Sequence, residues 1–140
     1  MKARRIDHIS IAVKKLDNAC KIYENTFGLG PAVEYVAEDE KIKVARYYIG
    51  EVALELMEAT SPDSEVAKFI QKRGEGVFLI SYAVDDVPRS LEELNDKGLK
   101  TIDKEPSHLF GSRYAFIMPP DETCGVLTEI IDGDFNPKKK

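Results

Sequence analysis

The chain has 140 residues, 43% of them hydrophobic and 32% charged, and a formal net charge of −5 at pH 7. That length holds one domain, or two small modules sharing one core. The acidic balance argues against nonspecific nucleic-acid binding, which needs a basic face, and no apolar run approaches the roughly 20 residues of a membrane span.

The start, Met-Lys-Ala-Arg-Arg-Ile, is basic but leads into no apolar signal region, so a cytoplasmic protein is expected. Cys20 and Cys124 are too few and too scattered for a disulfide framework or a zinc ribbon. Residues 5–13 alternate and are rich in Ile and Val, which predicts a strand. Asp17 follows as an N-cap, and Ala19, Ile22, Tyr23 and Phe27 recur at helical spacing until Gly28, Gly30 and Pro31 stop the helix. Three strands are predicted over 32–37, 42–49 and 52–58, with turns at Glu38-Asp39-Glu40-Lys41 and Gly50-Glu51. Ser61-Pro62-Asp63-Ser64 is rich in capping residues. A short helix is expected after it, with Val66, Ala67, Phe69 and Ile70 facing inward, ending at Lys72-Arg73-Gly74-Glu75-Gly76.

The pattern then restarts. A strand is predicted over 77–84, a cap at Asp86, and a helix with Val87, Leu91 and Leu94 inward, closed by Lys97-Gly98. Strands follow near 99–103, 113–118 and 125–131, with loops over Pro106 to Gly111 and Pro119 to Thr123. The order β-α-β-β-β is thus written twice. Asp7-His8-Ile9-Ser10-Ile11-Ala12-Val13 and Phe78-Leu79-Ile80-Ser81-Tyr82-Ala83-Val84 share Ile-Ser-x-Ala-Val at an offset of 71 positions, and the helix-ending glycines Gly28 and Gly98 lie 70 apart. The expected fold is α+β, a single domain over 1–135. Module 1 runs over about 5–60, a linking helix over about 63–73 and module 2 over about 76–132, with a polar tail over 133–140 that ends in Lys138-Lys139-Lys140.

Strand alternation places Glu129 on a face with Leu127 and Ile131, and Glu55 on one with Ala53 and Met57. A carboxylate on an apolar face is costly unless it is paired or bound to a cation. The same reasoning requires one of Asp7 and His8 to face inward. His108 sits in a polar loop and reads as an exposed histidine.

With these residues placed, the sequence resembles the methylmalonyl-CoA epimerases of the vicinal oxygen chelate superfamily, from about Ile6 to Ile131. The most specific stretches are Asp7 to Val13, Ser61-Pro62-Asp63-Ser64, Lys72-Arg73-Gly74-Glu75-Gly76, Val84-Asp85-Asp86-Val87 and Gly125-Val126-Leu127-Thr128-Glu129. The resemblance implies paired βαβββ modules forming a curved sheet around a cleft, a homodimer, and one divalent metal ion. It carries over His8, Glu55 and Glu129 as metal ligands. The fourth ligand position holds Leu79, which cannot ligate a metal. Glu129 and Glu55 are the implied acid/base residues. Gly111, Ser112 and Arg113 are the expected contacts to an acyl-CoA or related anionic substrate, with Arg46 and Lys72 as further cations near it. The implied reaction inverts the α-carbon of the thioester by proton transfer through an enolate. Alternatives are a metal-free small-molecule-binding protein of the same fold, or a glyoxalase-type lyase or isomerase acting on another substrate.

Overall fold

The computed structural model describes residues 1–138. Lys139 and Lys140 of the expected tail lie outside them. The described residues form eight strands, three α-helices and a short 3-10 turn at Pro120–Glu122: β1 Arg5–Ala12, α1 Leu16–Phe27, β2 Val33–Ala37, β3 Ile42–Ile49, β4 Val52–Ala59, α2 Glu65–Arg73, β5 Gly76–Ala83, α3 Val87–Asp96, β6 Ser107–Leu109, β7 Ser112–Met118 and β8 Leu127–Gly133. The class is α+β, with βαβββ written twice, as the sequence implies. No helix is long and apolar enough to cross a membrane among the described residues.

The chain divides into two compact units, Ile9–Phe78 and Met1–His8 with Leu79 onward. The division falls inside β1 and inside β5, so it does not follow the module limits drawn from the sequence.

In the unit Ile9–Phe78 the strands run β2-β3-β4-β1. Gly50, at φ 60, turns the β3–β4 hairpin, which aligns Ile49 with Val52 and Arg46 with Glu55. One sheet face carries Ala45, Tyr47 and Leu56, which pack with Val13, just after β1, and with Leu16 and Ala19 in the first turn of α1. Asp17 is not the cap of this helix. The N-cap is Lys15, whose side chain makes no capping bond, and the Leu16 N–H instead donates to Glu58 Oε1 on β4 at 2.6 Å. Ile22 and Phe27, read at helical spacing, are 60% and 65% exposed: Ile22 lies off the buried stripe through Leu16, Ala19 and Tyr23, and Phe27 continues that stripe into the last turn, where it meets the Tyr23 ring. Helix α2 has the expected cap: Ser64 Oγ accepts from the Val66 N–H at 3.2 Å.

In the other unit the strands run β5-β8-β7-β6. Helix α3 covers one face, packing Val87, Leu91 and Leu94 on Val84, Ala115, Ile117 and Ile130. The repeat is visible in the two cores, since the 71-residue offset pairs Val13 with Val84, Leu16 with Val87 and Cys20 with Leu91. Asp86 caps α3 as expected, accepting from the Arg89 N–H at 3.0 Å.

The segment near 99–103 is not a strand: Leu99 and Ile102 are exposed, although Ile102 and Asp103 donate to Ile117 and Phe116. The expected loop over 106–111 instead contains β6. It is joined to β7 by a two-residue turn in which Phe110 (φ 49) and Gly111 (φ 89) are both left-handed. The segment expected as a loose tail from 133 is partly built in. Gly133 ends β8, Asp134 and Asn136 donate to the carbonyls of Gly111 and Phe110, and the Phe135 ring meets Phe110 edge-on at 6.0 Å.

Candidate functional site

Glu129 lies on the face of β8 turned away from α3. Its cross-strand partners are Ser81 on β5 and Phe116 on β7, with Leu79 paired to Leu127 and Tyr114 to Ile131 on the same side. The face is therefore apolar around one carboxylate, and Glu129 is buried at 5% exposure. Such a carboxylate needs a partner. His8 supplies it, with Nε2 3.4 Å from Glu129 Oε1.

His8 is oriented from behind. Its Nδ1 lies 2.8 Å from Asp7 Oδ1, and Arg5 donates to Asp7 Oδ2 at 3.1 Å. The sequence required only one of Asp7 and His8 to be buried; both are, because each satisfies the other. With the Nδ1 proton given to Asp7, Nε2 is the ring nitrogen turned to Glu129. The pair can share one proton, either as imidazolium and carboxylate or as imidazole and carboxylic acid. That is the equipment of a proton-transfer group.

Ser81 was not singled out from the sequence. It is fully buried beside Glu129, and its Oγ finds no hydrogen-bond partner among the described residues. The signal was available: Ser10 and Ser81 are the shared serines of the two copies of Ile-Ser-x-Ala-Val.

Glu55 is built into the unit Ile9–Phe78, on the sheet face opposite the α1 cluster. It accepts from Arg46 Nη1 at 2.9 Å, from the Tyr35 hydroxyl at 2.6 Å and from Ser10 Oγ at 3.4 Å. Arg46 and Glu55 are 4% and 1% exposed. The hairpin turn read at Gly50-Glu51 already pairs residue 46 with residue 55, so this ion pair was legible from the sequence although it was not drawn from it.

The residues present do not fit the metal that the resemblance implies. Protein metal sites generally draw three or more donors from side chains. Leu79 is a buried hydrocarbon, Glu55 already holds a cation, and among the described residues no three His, Cys, Asp or Glu side chains form a metal-binding group.

Arg113 sits on the α3 side of β7, across from Asp132. Asp132 receives Arg113 Nε and Nη2 at 2.9 and 2.7 Å and the Val87 N–H at 2.6 Å. Arg113 therefore faces away from the Glu129 side, and its fork is engaged. Ser112 Oγ donates to the Leu109 carbonyl at 2.9 Å, and Gly111 closes the β6–β7 turn. Both have structural work there. His108 is exposed, in register with Arg113.

A family model described as Glyoxalase/Bleomycin resistance protein/Dioxygenase superfamily matches residues 7–116. The uncharacterized protein YqjC of Bacillus subtilis (strain 168) is 37% identical over 129 residues, which cover 91% of each chain. A variant of Streptomyces coelicolor methylmalonyl-CoA epimerase in complex with 2-nitronate-propionyl-CoA is 34% identical with a TM-score of 0.87, covering 94% of this chain and 96% of its own. A methylmalonyl-CoA epimerase in complex with methylmalonyl-CoA and NH4+ is 33% identical with a TM-score of 0.88, covering 99% and 100%.

Proposed function

The chain belongs to the glyoxalase/bleomycin resistance protein/dioxygenase superfamily, and from that premise we propose that it is an epimerase of methylmalonyl-CoA or a close acyl-CoA thioester. Support comes from the similar epimerases with methylmalonyl-CoA or 2-nitronate-propionyl-CoA bound. The observation that carries the reading within this chain is the buried Asp7–His8–Glu129 chain, 2.8 and 3.4 Å between its members.

In this reading Glu129 removes the α-proton that lies between the carboxylate and the thioester. The α-carbon becomes planar as its electrons move into the thioester carbonyl, giving an enolate. A proton from solvent, delivered on the opposite face, completes the inversion, and the proton held by Glu129 and His8 passes back to solvent. His8 holds the proton balance of Glu129, and Asp7 fixes the ring. The apolar walls at Leu79, Leu127 and Phe116 keep bulk water from the carboxylate. Ser81 Oγ is a donor for a substrate oxygen on that face. Glu55 takes no proton-transfer step, because Arg46 and Tyr35 hold its carboxylate. A homodimer in solution and a cytoplasmic location belong to this reading as well.

The test is deuterium uptake into methylmalonyl-CoA in heavy water. Wild type should exchange the α-proton, and Glu129→Gln should lower the rate by about 10²–10⁴-fold, the usual worth of a positioned acid/base. Wild type without exchange would exclude the epimerase. A second reading, a binding protein of the same fold, is favoured by Leu79 and by the neutralised Glu55. It requires saturable acyl-CoA binding with no exchange.

A further inference from the structure

Glu55 stands where the resemblance assigns a metal ligand, and its carboxylate already has a cation. We propose that Arg46 holds the charge-balancing place of a divalent metal beside Glu55, so that the β4 carboxylate of this chain is the counter-ion of a built-in guanidinium and not a ligand.

Four observations carry this, the first three inside the unit Ile9–Phe78. First, the β3–β4 register sets Arg46 and Glu55 directly opposite each other, so their contact follows from the hairpin and not from a chance rotamer. Second, the carboxylate is well occupied. Oε2 receives Arg46 Nη1 at 2.9 Å and the Tyr35 hydroxyl at 2.6 Å, and Oε1 receives Ser10 Oγ at 3.4 Å. A carboxylate has about four lone-pair positions, so most are spent. Third, Arg46 is locked in turn. Its Nε donates to the Tyr48 hydroxyl at 3.1 Å, and its guanidinium lies 5.2 Å from the Tyr48 ring centre. For Glu55 to turn Oε2 to a metal, or to chelate one with both oxygens, Arg46 would have to lose its anion while 4% exposed, which is the costly way to break a buried pair. Fourth, and independently, the substitution at Leu79 also removes a donor from the implied set. Both changes move the chain away from metal chelation while keeping Glu55 charge-balanced.

The inference goes beyond the epimerase reading, and its readout is metal affinity and not turnover, so either can fail without the other. The probe is cobalt(II), titrated into the full chain and followed by calorimetry and by its visible absorption. The variants are Arg46→Met and the double variant Arg46→Met/Glu55→Met. Arg46→Met strips the carboxylate of its cation and should tighten cobalt binding at least tenfold over wild type. The double variant removes both charges together and should bind cobalt as wild type does, within about twofold. If Arg46→Met does not fold, the double variant decides alone, since it leaves no buried charge unpaired. A tenfold or larger loss of affinity in the double variant would mean that Glu55 is a ligand in the wild type and would overturn the proposal. A folded Arg46→Met with no gain would overturn it as well.

Discussion

Replacing Asp132 by alanine should destabilise the protein by about 2–4 kcal/mol. The Asp132 side chain, 4% exposed, serves two masters in the unit that contains α3. Its Oδ2 accepts the Val87 N–H, the first donor of the helix, on a residue with no solvent exposure. Leaving such a group without an acceptor costs about 1–3 kcal/mol. Losing a negative charge at a helix N-terminus costs about 0.3–1 kcal/mol more. The pair with Arg113 adds less than its bidentate geometry suggests, because Arg113 is 39% exposed and water screens it. Arg113→Ala should therefore cost clearly less than Asp132→Ala. At this chain length, Asp132→Ala should lower Tm by about 6–12 °C. Urea unfolding followed by circular dichroism measures both variants. Asp132→Ala within 0.5 kcal/mol of wild type, or an Arg113→Ala loss equal to it, would refute the division of roles argued from the structure. Arg113→Ala with full stability and a tenfold weaker KM in the exchange assay would instead restore Arg113 to the substrate.

Gly133→Ala should be among the most damaging small changes. A Cβ there would come within 2.6 Å of the Gly111 carbonyl oxygen at a φ of +83, and the combined clash and left-handed strain should cost about 2–4 kcal/mol in the same unfolding assay. Tyr47 gives a pH signature. Burial first, then bonding to Cys20 and Glu24, holds its phenol well above the ordinary value near 10. A raised folded pKa means stability that is complete below pH 10 and lost as pH rises above it, because the unfolded chain releases that proton first. Wild type should therefore lose stability above pH 10 more steeply than Tyr47→Phe, and parallel curves would show that Tyr47 is not responsible.

Much of the fold could be read because the chain repeats itself. Val13 and Val84, Leu16 and Val87, and Cys20 and Leu91 are matched in sequence and meet the same kind of neighbours. What failed were readings that took apolar character for burial. Ile22 and Phe27 fit helical spacing yet are exposed, Ile22 off the buried stripe of α1 and Phe27 at its last turn, and Leu99 and Ile102 look like strand residues yet are exposed. The β6–β7 hairpin was hidden because phenylalanine rarely adopts the positive φ that Phe110 has. At the site, alternation found the Glu129 face, because a period of two needs no knowledge of neighbours. It could not show which strand face Arg113 shares with Asp132, since that depends on the β7–β8 register. The pairing of Arg46 with Glu55 needed only the hairpin turn already identified between them.

Strand β1 gives a lesson about how the chain must be made. Residues up to His8 are translated before Ile9–Phe78, yet they belong to the unit built mainly from Leu79 onward. There Arg4 donates its N–H to Ala83 and its guanidinium to Asp85, the Met1 amino group pairs with Glu93, and His8 meets Glu129. These partners lie some 80 to 120 positions downstream. These contacts thus have to wait for the downstream residues, while Ile9–Phe78 can order in between. Such long-separated contacts slow folding, and they set a vulnerability as well. A deletion within residues 1–8 would strike the unit built mainly from Leu79 onward.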